Sequence, residues 1–159
     1  MVYDVTIGIP VYKSVDYIRR ALESALSQTY SSIEFLMVDD AGCDSSMEVI
    51  EGIKREHPRG NDIRIITHPK NMGVSASRNH IIDEAQGQFL YFMDSDDMIA
   101  ENTIELMMQN VRQFNAEVVF GSYEKIETSG EKTIYQYPSL QLLQEDELAS
   151  FAYRKYAGF

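Results

Sequence analysis

Three carboxylates, Asp94, Asp96 and Asp97, fall within four residues in the stretch "FLYFMDSDDM", directly after an apolar run. Two carboxylates ~5 Å apart repel by roughly 3 kcal/mol at an effective dielectric near 20, so such a cluster calls for a compensating positive charge. Carboxylate oxygens are hard ligands that suit Mg2+ or Mn2+, and an ion held that way keeps positions open for water and substrate phosphates. There is no His or Cys cluster and no HExxH run, so the ligand chemistry of zinc is missing. A single Asp here would read as a cap of the following helix. The cluster reads as a metal with a bound diphosphate.

A second acidic pair, Asp39 and Asp40, follows "IEFLMV". Alone it reads equally as a loop and cap pair or as a site. Beside Pro10 and Tyr12, such a carboxylate could accept an N–H from a flat heterocycle while ring and backbone pack its faces, which suits a nucleobase. In "NMGVSASRNH", residues 71–80, Asn71 and Gly73 mark a turn and a helix opens near Val74. Its free N–H groups form an anion site, and Arg78 adds a permanent cation one turn in. Position alone leaves Arg78 open between that role and a surface ion pair. Of His57, His68 and His80, only His68 sits at a strand end, and a loop histidine there reads as incidental.

The elements that must position these residues follow from periodicity. Four apolar runs, "VTIGI", "IEFLMV", "IRIIT" and "QFLYFM", are each followed by a helical pattern. That alternation predicts an α/β fold, Rossmann-like, with a mostly parallel sheet sandwiched by helices. Ligands of such sheets bind at the carboxyl ends of the strands, which puts "PVY", Asp39-Asp40, His68 and "DSDD" on one edge. Ile18, Ala21, Leu22, Ala25 and Leu26 form one helical face with Ser14 as its N-cap, and Ser45 and Glu48 have capping-box spacing. The third helix carries Ile81, Ile82 and Ala85, and the fourth Ile104, Met107, Met108 and Val111, with the Met pair as core filler. After "AEVVFGSY" a hairpin turning at Ser129-Gly130 predicts a sheet that becomes mixed towards its end. The tail "QEDELASFAYRKYAGF" predicts a helix through Leu148, Phe151 and Ala152 that is cut short.

The 159 residues suit one globular domain, and a net charge of −11 argues against a nucleic-acid surface. A single cysteine, Cys43, excludes an internal disulfide and fits a reducing compartment. No run approaches the ~20 apolar residues of a membrane span.

In order, "IGIPVYKSVDYIRRALESALSQTYSSIEFLMVDDAGCDSS", "NMGVSASRN" and "FLYFMDSDD" resemble the nucleotide-binding half of family 2 glycosyltransferases, which have the glycosyltransferase A-type fold, over about residues 5–123. The resemblance implies that Pro10 and Tyr12 border the base, that Asp40, with Asp39 beside it, accepts the uracil N–H, and that Arg78 lies near the ribose and diphosphate. Asp94-Ser95-Asp96 would be the DxD motif, with Asp96 and Asp94 at Mn2+ or Mg2+ and Asp97 contacting sugar or metal. Two departures stand out: Ala41-Gly42-Cys43 where the family commonly has Gly-Ser, and Lys13 where it commonly has Asn.

The resemblance further implies a metal-dependent, inverting enzyme that passes a sugar from a UDP-sugar to a glycan or polysaccharide acceptor, in the cytoplasm or peripherally at the inner face of the membrane. Residues 1–123 would bind the donor, and 124–159 would begin the acceptor-side half. Inverting transfer needs a general base, which this family carries farther downstream. Glu145-Asp146, about fifty residues beyond Asp96, reads instead as ordinary charge at a helix start, so the base is expected outside this chain. Two other classes compete: a noncatalytic nucleotide-sugar binder, and a Mg2+-dependent signalling receiver, which expects a Lys that is missing after "AEVVFGS".

Overall fold

The computed structural model of the chain describes residues 3–137. The chain forms two compact units, Met1–Ala116 and Glu117–Phe159.

The first unit is built on four parallel strands, β1 (Tyr3–Val11), β2 (Ile33–Asp39), β3 (Ile63–Thr67) and β4 (Gly87–Phe92), in the order β3-β2-β1-β4. Helices α1 (Ile18–Leu26), α2 (Ser46–Glu56), α3 (Val74–Glu84) and α4 (Thr103–Phe114) connect or follow them. The central strands read as unbroken apolar runs because both of their faces are covered. On one face Val5, Ile7, Ile9 and Val11 of β1 join Ile33, Phe35 and Met37 of β2. These pack with the apolar face of α1, Ile50 and Ile53 of α2, and Ile104 and Met108 of α4. The alternate residues Leu36 and Val38 turn to the other face and meet Ile81 of α3.

Helix α3 lies directly on the strand backbone. A Cβ at Gly8 would come within 2.3 Å of Ile81 Cγ2, so β1 needs glycine at that crossing. The buried face of α3 is correspondingly narrow, Ser77 and Ile81, and Ile82 is exposed instead of joining the core as its apolarity predicts.

Both predicted helix caps differ from expectation. The Ser14 hydroxyl donates to the Tyr12 carbonyl and meets Ser95, and it is the Ser14 carbonyl that accepts the amides of Tyr17 and Ile18. At α2 the Ser45 side chain makes no capping bond; Asp44 takes the Ser46 amide at 3.2 Å and its hydroxyl at 2.9 Å.

In the second unit β5 (Tyr123–Ile126) and β6 (Lys132–Tyr135) form the predicted hairpin, with Gly130 at φ 85° in its turn. The hairpin is a two-stranded sheet by itself, so among the described residues the main sheet is parallel throughout and the expected mixed sheet does not occur. The predicted helix through Leu148, Phe151 and Ala152 lies outside the described residues. Among the described residues, no helix is long and apolar enough to cross a membrane.

Candidate functional site

The register of the sheet brings the site residues to one edge. Val11 of β1 pairs with Asp39 of β2, and Gly8 of β1 pairs with Phe92 of β4, so the loops after these strands leave the sheet side by side. Pro10, half-buried, occupies the last turn of the pleat in β1, and Tyr12 beyond it is exposed with Lys13 Nζ 5.3 Å from its ring centroid.

Side chains tie these loops together. The Ser14 and Ser95 hydroxyls are 2.6 Å apart, joining the loop after β1 to the middle of the acidic cluster. Ser46 accepts the Ser14 amide at 3.0 Å, and Asp44 accepts the Val15 amide at 3.2 Å. Burial pushes Asp44 up, but its hydrogen bonds from Ser46 and Val15 outweigh this and hold the carboxyl below its usual range. From beneath, Gln28 at the end of α1 donates to the Ala100 carbonyl at 2.7 Å and accepts the Ile104 amide at 3.0 Å, which anchors the segment following the cluster.

Three residues in these loops are left-handed without being glycine: Lys13 at φ 51°, Ala41 at 55° and Cys43 at 54°. Lys13 and Ala41 stand where the resembling family has Asn and Gly, residues that enter this region at low cost. Lys13 and Ala41 therefore carry the cost of a side chain in the left-handed region.

Asp39 and Asp40 have separate fates. Asp40 is buried, and its oxygens accept His68 Nδ1 at 2.8 Å, the Met72 amide at 2.7 Å and the Gly73 amide at 2.8 Å. Burial raises its pKa, yet these bonds together hold it below the usual carboxylate range. Asp40 thus ties the end of β2 to His68 and to the turn before α3, with two N–H groups on Oδ1 and one on Oδ2. Asp39 uses Oδ1 for the Ala41 amide at 3.0 Å, and among the described residues its Oδ2 accepts no hydrogen bond. His68, read from the sequence as incidental, is an integral partner of Asp40. Its position after β3, opposite the acidic pair, was the available signal.

At the end of β4, Asp94, Asp96 and Asp97 are exposed on a turn closed by the Asp97 amide and the Asp94 carbonyl at 3.1 Å. Arg78 Nη2 lies 2.7 Å from Asp94 Oδ1. Arg78 Nε is buried without a partner, so this guanidinium is only partly satisfied. Asp97 is pushed above its usual range by partial burial and then by the charges of Asp96 and Asp94. Among the described residues no three acidic, His or Cys side chains converge as a preformed metal cage. The turn offers carboxylate oxygens, the ligand type that suits Mg2+ or Mn2+.

The sequence matches the model of the family "Glycosyl transferase family 2" over residues 6–157. The chain belongs to this family. Glycosyltransferase GlyG of Streptococcus pneumoniae is 31% identical over 145 residues, covering 91% of this chain and 47% of GlyG. A structure of S. aureus TarS with UDP-GlcNAc is similar at TM-score 0.65 and 25% identity, covering 70% of this chain and 32% of that one. The mannosyltransferase PcManGT of Pyrobaculum calidifontis, solved with GDP-Man and Mn2+, shares the fold at TM-score 0.62 and 20% identity, over 75% of this chain and 34% of its own. The chain thus spans about half or less of the length of these relatives. Family membership removes the receiver-domain alternative and establishes the fold class as glycosyltransferase A-type.

Proposed function

We propose that this glycosyltransferase chain is the donor-binding part of a longer, metal-dependent, inverting enzyme that transfers a sugar from a UDP-sugar to a glycan acceptor. The observation that carries the reading is the placement of Asp39, with an uncommitted oxygen, on the same sheet edge as the acidic turn at Asp94 to Asp97. One carboxylate oxygen matches one imide N–H of uracil, and Tyr12 and Pro10 flank it as packing surfaces. Arg78 and the amides at the start of α3 are suited to the diphosphate.

Asp96 and Asp94 are the residues that would hold Mn2+ or Mg2+, with Asp97 as a further oxygen donor. The bound ion would supply positive charge to the departing diphosphate. Asp94 would hold the ion in place of its Arg78 contact, and the guanidinium would then be available to phosphate oxygens. Ser14 and Gln28 keep the acidic turn fixed relative to the base-side loop, so orientation costs little at the moment of binding. The acceptor site and the base that takes its proton are assigned to the part of the enzyme beyond this chain.

Calorimetric titration of UDP with Mn2+, repeated in EDTA and with Asp96→Ala, tests the reading. Saturable binding that needs both the metal and Asp96 is expected. Equal UDP binding in EDTA, or none by a folded chain, would count against it.

A further inference from the structure

Asp40, His68 and His80 form a chain of contacts outside the proposed donor chemistry. His68 Nδ1 lies 2.8 Å from Asp40 Oδ1, and His68 Nε2 lies 3.0 Å from His80 Nδ1, with the rings stacked 7° from parallel. The Asp40 and His68 side chains are each 4% exposed, whereas His80 is half-buried. The far end of the chain is the turn at Met72 and Gly73, whose amides Asp40 accepts.

The contacts fix the protons by elimination. A carboxylate only accepts, so neutral His68 carries its proton on Nδ1 and offers a lone pair at Nε2. His80 Nδ1 must then donate, which leaves His80 Nε2 bare. His57 is set the other way, because its Nδ1 accepts the Arg59 amide at 3.1 Å and its proton belongs on Nε2.

We propose that His80 is a positioning residue for the turn at Met72 and Gly73, acting through His68 and Asp40, and that the three side chains relay a proton that makes this turn respond to pH. A proton taken up at His80 Nε2 releases the proton of His80 Nδ1 to His68 Nε2. His80 ends neutral, protonated at Nε2; His68 ends as an imidazolium with two N–H bonds, against the Asp40 carboxylate. One proton enters and one positive charge is gained.

The charge is assigned to His68 because it is the ring in contact with a carboxylate, Asp40. Competing charges on the neighbouring elements are engaged elsewhere. On β2, Asp39 holds the Ala41 amide and Glu34 holds Thr6 and Gln86; on β3, Arg64 pairs with Glu34 and Glu84. On β1, Asp4 meets Tyr30, and on α3, Arg78 meets Asp94. Asp83, one turn beyond His80, and Lys70, in the loop after His68, are exposed and opposite in sign. His68 and the Met72 amide share Asp40 Oδ1, so a cationic His68 draws that oxygen away from Met72. The same turn opens α3, which carries Arg78. Its bearing on a donor rests on the proposed function, whereas the relay rests on these contacts alone.

Side-chain 1H–15N NMR of the histidines in the 159-residue chain, without nucleotide or metal, tests the relay over about pH 8 to 5. At the alkaline end His68 and His80 should be Nδ1–H tautomers and His57 an Nε2–H tautomer. On acidification His68 should gain its second N–H while His80 exchanges Nδ1–H for Nε2–H, and the Met72 and Gly73 amides should shift with the same midpoint. In His80→Phe, which keeps a ring but has no proton to pass, those amide shifts should fall severalfold. An Nε2–H tautomer for His68 or His80 at the alkaline end overturns the relay without need of a variant. So does double protonation of His80 while His68 stays neutral, or an unchanged amide titration in folded His80→Phe. Because no nucleotide is present, a failed donor assignment leaves these readings unaffected.

Discussion

Arg78 Nη2 stands 2.7 Å from Asp94 Oδ1, so a guanidinium from the first turns of α3 occupies the leading carboxylate of the acidic cluster. The pair is exposed at both ends, 42% and 50%, and an exposed pair is worth roughly 0.2–1 kcal/mol. The same contact that steadies the empty cluster therefore competes with a metal for Asp94.

Replacing Arg78→Gln should strengthen Mn2+ binding to the nucleotide-free chain by up to about fivefold, the equivalent of that exposed pair. UDP binding in the presence of Mn2+ should weaken by about tenfold or more, the loss of one charge-assisted hydrogen bond. Calorimetry reads both. Weaker Mn2+ binding by the variant would mean that Arg78 organises the cluster and does not compete for it.

Asp97 is raised by burial and by its acidic neighbours, so its ionised form costs stability. An acid with a raised folded pKa incurs that cost as pH climbs from its unfolded value through its folded one, and carries it in full above both. Asp97→Asn should therefore raise the Tm measured in EDTA at neutral pH, with a gain held to under about 1 kcal/mol by solvent screening. The gain should fade below about pH 4, where the carboxylates are protonated. A lower Tm at neutral pH would refute the repulsion.

Asp40 has the opposite sign. Its pKa is depressed by His68, Met72 and Gly73 against the opposing effect of burial, so the stability it contributes is present above the unfolded value of about 3.9 and lost as pH falls through its lower folded value. Asp40→Asn removes the charge and the second full acceptor, and should cost about 2–4 kcal/mol in denaturant unfolding at pH 7. The gap between the two proteins should narrow below about pH 4. A gap that is flat with pH would show that the charge of Asp40 does not matter to folding.

Ala41 holds φ 55° in the loop between Asp39 and α2. Glycine enters the left-handed region without the Cβ clash, so Ala41→Gly should stabilise the chain by about 1 kcal/mol. Chemical denaturation measures it. A destabilised variant would mean that the Ala41 methyl makes contacts worth more than the strain.

Gln28 bridges Ser24, Ala100 and Ile104 from a buried position. Gln28→Leu keeps the bulk but takes the Gln28 acceptor from the Ile104 amide, at a cost of about 1–3 kcal/mol, while the Ala100 carbonyl keeps the Thr103 amide. Mn2+ binding should weaken as well, since the segment beyond Asp97 loses its anchor. Unchanged metal binding in a folded variant would confine Gln28 to stability.

The sequence by itself determined the α/β class, the four strands and the apolar face of α1, because each depends on a local period repeated over enough residues to outvote exceptions. It also marked the acidic cluster and the pair at Asp39, since like charges next to apolar runs are conspicuous wherever the chain goes. Only the tertiary structure decided how the members of each set divide. Asp39 and Asp40 are neighbours of one type, yet strand alternation turns them apart, and the Met72–Gly73 turn, more than thirty residues on, claims Asp40. The caps at Ser14 and Ser45 divide in the same way: the Ser14 hydroxyl meets Ser95, which the sequence places far away, and Asp44 in place of Ser45 takes the Ser46 amide. The pairing of His68 with His80 is of this kind, since the turn between them sets two rings in register that no pattern in the chain connects.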